Sequence, residues 1–171
     1  LLGLRHPDRE RMLETAGGIA LGGDARRFDE ARRLLGDLLS TDGDLWEAHF
    51  ALGLLARREG DAEAAERSFR AALERWPEQP DALHELGVAL LLREAVAEAV
   101  AMLERAAALR PDDPAYVADA GYARLRGGDI ATARRHLERS RTLAPEDPVT
   151  AAYLAELARL GSEERPEVRP N

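Results

Sequence analysis

The chain lacks cysteine and lysine and is poor in aromatic residues, and each shortage removes a class of chemistry. With no cysteine among 171 residues, it can form no disulfide, thiolate metal site or cysteine nucleophile. All 24 basic residues are arginine, a bias that reads as codon usage of the source genome more readily than as selection for bidentate geometry. Aromatics are 5% of the chain while hydrophobic residues are 45%. Alanine and leucine therefore supply the core, a mixture that favours helix. No apolar run approaches the roughly 18 to 20 residues of a membrane-spanning helix. A basic excess is missing too. The formal charge is -8, with acids and arginines interspersed, which disfavours nucleic-acid binding because phosphate neutralisation needs a basic face. The expectation is an all-α protein. Residue 1 is leucine, so an upstream signal peptide, lipid anchor or further domain has a place. The expected compartment is the cytoplasm, or the periplasm or a lipid-anchored position if such a segment precedes.

What is present is a period. Gly53, Gly87 and Gly121 lie 34 residues apart, as do Ala65, Ala99 and Ala133, then Pro77, Pro111 and Pro145, and finally Pro80, Pro114 and Pro148. Repeats of this length mark stacked helical architectures. Three units follow, 46–79, 80–113 and 114–147, each a helix, a turn and a second helix. The glycine at the eighth position lets a neighbouring helix approach closely, and the alanine at the twentieth plays the matching part. Phe69, Leu103 and Leu137 fill the space between the helices. Turns are expected at Glu59-Gly60-Asp61 and Gly127-Gly128-Asp129, with glycine ending one helix and aspartate capping the next. The middle unit has Arg93-Glu94-Ala95 there, a less well specified turn. Between units, one proline stops the outgoing helix and the other sits in the first turn of the next, behind Asp113 or Asp147 as N-cap.

The flanks follow more weakly. Residues 1–45 read as a divergent helical repeat, with Phe28, Ala31, Leu35 and Leu38 on a second-helix pattern. The glycine-rich stretch 16–23 makes a poor helix and reads as a loosened turn. Residues 148–160 read as a capping helix over the last apolar face, and 161–171 as a disordered tail.

The pattern resembles the tetratricopeptide repeat, whose signature sets tryptophan, leucine-glycine, tyrosine, alanine, phenylalanine and proline at fixed offsets. Leu52-Gly53, Leu86-Gly87, the three alanines and the three prolines keep it. Ala56, Leu90 and Arg124 depart at the tyrosine position, Ala120 precedes Gly121, and Ser140 replaces a late alanine. The resemblance spans residues 46–147 and implies a right-handed α-solenoid of helix–turn–helix repeats. It further implies that first helices line a concave groove holding a peptide or amphipathic helix of another protein. The groove positions would be Glu47, Phe50, Ala51, Leu54, Arg57 and Arg58, then Asp81, His84, Glu85, Val88, Leu91 and Leu92. The third unit would add Ala115, Ala118, Asp119, Tyr122, Leu125 and Arg126, and the cap Ala152 and Tyr153. One edge is then acidic, the middle apolar and the far edge arginine-rich. The family's carboxylate clamp is not expected, because lysine is absent and Phe50, Leu54, His84 and Val88 occupy clamp-type positions.

Catalytic, metal and cofactor chemistry is not expected. Among His6, His49, His84 and His136 none pairs with another at helical spacing. His84-Glu85 begins like a zinc-protease helix motif, but Val88 stands where the second histidine is needed. The glycines at 17–23 lack the lysine and hydroxyl of a phosphate loop. The leading expectation is a non-enzymatic scaffold or adaptor in a multiprotein assembly. The alternatives are a chaperone laid out like those of type III secretion translocators, a structural or localisation subunit, and a docking module of a larger enzyme.

Overall fold

Caps and prolines set where the helices begin and end. The computed structural model describes residues 6–22 and 24–163. Among these, the helices are α1 (His6–Gly22), α2 (Phe28–Thr41), α3 (Trp46–Arg58), α4 (Ala62–Arg75), α5 (Pro80–Leu92), α6 (Val96–Leu109), α7 (Pro114–Arg126), α8 (Ile130–Leu143) and α9 (Pro148–Glu163), with a 3₁₀ turn at Ala25–Arg27 and no strand. The Asp61, Asp113, Asp129 and Asp147 carboxylates accept from backbone N–H groups of the first turns of α4, α7, α8 and α9, at 2.7 to 3.0 Å. At the start of α5 the cap is Gln79, buried, whose side-chain oxygen accepts from the Ala82 amide. Pro80 and Pro114 open their helices, where a missing N–H leaves nothing unpaired.

The eighth-position glycines do admit the paired helix. A Cβ on Gly53 would stand 2.4 Å from the Phe69 ring, one on Gly87 2.4 Å from Leu103 Cγ, and one on Gly121 2.9 Å from Leu137 Cγ. Phe69, Leu103 and Leu137 are themselves fully buried. Helices therefore pair as α3–α4, α5–α6 and α7–α8, and successive pairs stack through α4–α5, α6–α7 and α8–α9. First helices also touch one another, α1 to α3, α3 to α5, α5 to α7 and α7 to α9. Second helices are bridged instead by long side chains, as in the Arg70–Glu98 ion pair at 2.6 Å. The solenoid thus curves with its first helices on the inner face.

The middle turn differs from expectation. It closes like its neighbours, with Ala95 N–H donating to Leu90 O at 2.9 Å where Asp61 donates to Ala56 O at 2.9 Å and Asp129 to Arg124 O at 3.0 Å. Glu94 is accordingly forced to φ 60°, where the other turns have Gly60 at 80° and Gly128 at 82°. A left-handed backbone costs a residue with a Cβ about 1–2 kcal/mol. Glu94→Gly is expected to stabilise the fold by about 1 kcal/mol and to raise Tm by a few degrees in a thermal melt. An unchanged or lower Tm would show that the turn carries no such strain.

The N-terminal stretch also corrects the sequence reading. Instead of a loosened turn, α1 continues unbroken through Gly17 and Gly18 to Gly22. Ala16, Ile19 and Ala20 are buried in one cluster with Phe28, Ala31, Leu35 and Leu54, and that burial outweighs the roughly 1 kcal/mol that each glycine costs a helix. At the other end, α9 runs three residues past the expected cap, and residues 164–171 of the expected tail lie outside the described residues. Ser140, the departure from the repeat pattern, lies within hydrogen-bond distance of the Pro114 carbonyl and of Thr150 Oγ1, both at 2.8 Å, while Thr150 Oγ1 lies 2.6 Å from Asp147 Oδ2. The two hydroxyl protons fill two of these three contacts at a time, and the buried chain ties α7, α8 and α9 together.

Candidate functional site

The inner face opens into a cavity of about 430 Å³ between α1, α3, α5 and the start of α7. Ala20, Leu21, Phe50 and Leu54 give it apolar walls, and Arg57, Arg58, Asp81, His84, Glu85 and Tyr116 give it polar ones. Repetition puts them there. Phe50 and His84 share the fifth position of consecutive units, and Arg57 and Arg58 the last turn of α3.

Two carboxylates of the expected acidic edge, Asp81 and Asp119, are held by hydrogen bonds from the protein itself. Asp81 accepts from Tyr116 Oη at 2.5 Å, Gln79 Nε2 at 2.9 Å and Arg110 at 3.1 Å. Burial pushes its carboxyl up, but the bonds from Tyr116 and Gln79 and the Arg110 charge outweigh burial and hold it below the ordinary range. The Tyr116 hydroxyl is raised in turn, by burial first and by its bond to Asp81 next. Asp119 accepts from His84 Nε2 at 2.8 Å and Tyr153 Oη at 3.1 Å. Burial, followed by the Asp119 charge, raises the Tyr153 hydroxyl.

Glu85 stands apart. Arg57 Nε lies 3.0 Å from its Oε2, yet that oxygen is buried and receives no hydrogen bond. The pair is therefore ionic contact without an aligned N–H. Burial raises the Glu85 carboxyl, and the Arg57 charge opposes this incompletely.

Aromatic rings stiffen the same face. His84 stacks on Tyr116 with centroids 4.4 Å apart, and Tyr122 stacks on Tyr153 at 4.2 Å. Arg126 lies over the Tyr122 ring, 5.9 Å from its centroid. Tyr116 was not among the expected groove residues. Its signal was available, since the third position of the units reads Ala48, Ala82, Tyr116 in a chain with few aromatics.

Of the other expected groove residues, Val88 and Leu91 are partly buried against the core, and Leu92 is 67% exposed. Leu125 is only 3% exposed and packs with Ala133, Leu137 and Leu157, so it offers no surface. Glu47 lies away from the cavity, beside Arg9, Leu13 and Asp42. Among the described residues, no group of three or more histidines and acids is placed to hold a metal, and no helix is long and apolar enough to cross a membrane.

A family model for the tetratricopeptide repeat matches residues 23–70 and 50–114. The chain belongs to the tetratricopeptide-repeat family. The match takes in α2, outside the 46–147 that the spacing covered, and ends at 114, where the third unit begins. Solved structures of TPR proteins superpose closely and bear out the fold. Pseudomonas aeruginosa PilF is 24% identical with a TM-score of 0.76, covering 91% of this chain and 72% of that one. YrrB, a TPR protein with an unusual peptide-binding site, is 17% identical with a TM-score of 0.78, covering 90% and 78%. MamA (41-end) from Desulfovibrio magneticus RS-1 is 18% identical with a TM-score of 0.71, covering 93% and 98%. In sequence, the chain is 34% identical over 103 residues to the probable biofilm formation methyltransferase WspC of Pseudomonas putida. That match takes in 60% of this chain but only 24% of the methyltransferase.

Proposed function

We propose that this TPR protein is a non-catalytic docking module that holds a peptide or amphipathic helix of a partner protein in its concave groove, in the assembly of a multiprotein complex. TPR folds generally mediate protein–protein interaction, and the observation that carries the reading here is the open cavity over Phe50 and Leu54, walled by side chains already fixed by their own bonds. A pre-ordered wall lowers the entropy lost on binding. Concave pockets with an apolar floor and few placed polar groups are the usual form of a binding site.

The test is a Val88→Glu, Leu92→Glu variant. Capture of partners from a lysate of the source organism is expected to fall about tenfold or more while the helical circular dichroism is retained. An unchanged partner set would move docking off the inner face.

A second reading, a docking module within a larger enzyme, is favoured by the match to the methyltransferase, of which the chain spans about a quarter. Removing the repeats from such an enzyme would then impair its action on a macromolecular substrate and spare a small one.

A further inference from the structure

The carboxylates and the arginines of the inner face differ in their partners. Asp81, Asp119 and Glu85 are all engaged by donors or cations of the protein itself. The arginines at the thirteenth position of the outer two units meet no carboxylate among the described residues. Arg58 donates to the Leu21 carbonyl at the end of α1, and Arg126 lies over the Tyr122 ring and donates to its hydroxyl at 3.5 Å. Neither guanidinium has an ion-pair partner among the described residues. Glu94 and Glu156 are the acids whose fields reach Arg126, but neither pairs with it. At the same position of the intervening unit stands Leu92, 67% exposed, and beside Arg58 stands Leu21, 65% exposed. Exposed leucines therefore alternate with unpaired cations along one rim.

We propose that the groove selects an acidic amphipathic segment of a partner protein, with apolar side chains seated on Phe50 and Leu92 and carboxylates on Arg58 and Arg126. The inference rests on the docking reading above and adds the sign and spacing of the partner's charges. A carboxylate is the complement that an arginine fork binds best. Arg58 and Arg126 end α3 and α7, two helix-packing steps apart, or about 16–20 Å at the usual 8–10 Å per step. The partner's acids should then be separated by about 11–13 residues in a helix or about 5–6 in an extended strand. The rim arginines are solvent-exposed, so the preference should weaken with added salt.

A displayed library of random peptides, long enough to reach both arginines, is panned in parallel on the wild type, Arg58→Gln/Arg126→Gln and Arg58→Glu/Arg126→Glu. The wild type is expected to enrich acidic amphipathic clones with that spacing. Their binding should fall about tenfold on the glutamine variant, and the glutamate variant should enrich basic clones instead. The inference is overturned if the wild type enriches basic or uncharged clones, if no clone enriches, or if acidic clones bind all three proteins alike. Rebinding the winners to Val88→Glu separates the two claims. Non-acidic winners that Val88→Glu abolishes leave the groove standing and sink the charge rule. Winners indifferent to Val88→Glu sink both.

Discussion

Replacing Gly87 with alanine is expected to destabilise the protein by about 2–3 kcal/mol, although alanine is the better helix former. The added Cβ would stand 2.4 Å from Leu103 Cγ and 2.8 Å from its Cδ2, and Leu103 is fully buried, so it has nowhere to retreat. The same substitution at Gly17 supplies the control. That glycine is also helical, but no atom beyond its own stretch of helix backbone lies within 4 Å of its added Cβ. Gly17→Ala should therefore stabilise by about 0.5–1 kcal/mol. Urea denaturation of the two variants should show opposite signs. A Gly87→Ala, Leu103→Ala double variant should lose less than the sum of its single variants, because the new methyl occupies part of the space vacated, with a coupling of about 1 kcal/mol or more. If Gly87→Ala stabilises as Gly17→Ala does, the pairing of the eighth position with the second helix is wrong.

Loss of the Asp81 carboxylate ranks next. Asp81→Ala removes the acceptor for Tyr116, Gln79 and Arg110 together. Gln79 and Tyr116 are both buried, so two polar groups are left short of partners inside the fold. Hydrogen bonds to a charged group are worth about 1.5–3 kcal/mol, and the loss should fall in that range at neutral pH. The pH dependence has a definite sign. The folded Asp81 carboxyl is held below its ordinary value of 3.8, so its contribution is complete above that value and disappears as pH falls through the lower, folded one. Melts of wild type and Asp81→Ala should differ fully at pH 7, and the gap should narrow from about pH 4 downward. A gap that persists in acid would mean that Asp81 acts through packing rather than through its charge.

What the sequence made legible was whatever depends on spacing. The approach of Gly87 to Leu103 and the caps at Asp61 and Asp129 follow from fixed offsets within one unit. Features decided by contacts between units were not legible. Asp81 finds Tyr116, and Asp119 finds His84, 35 residues away along the chain. Asp81 and Asp119 therefore looked like part of an exposed edge when they are internally bonded. Leu125 occupies a groove position by number, yet the packing of α7, α8 and α9 buries it. The glycines of α1 argued for a turn, and only the burial of Ile19 and Ala20 shows why a helix wins. Glu94 hid the opposite way, as a poor turn residue that the flanking helices hold in a glycine-like conformation.

The central claim is that partners dock on the inner face. A photo-crosslinking residue placed at Val88, on the inner helix α5, is to be compared in cells of the source organism with one at Ala101, exposed on α6. The account predicts a discrete adduct from Val88 that disappears with Arg58→Glu/Arg126→Glu, and none from Ala101. Adducts formed from Ala101 alone, or Val88 adducts indifferent to the arginines, would contradict it.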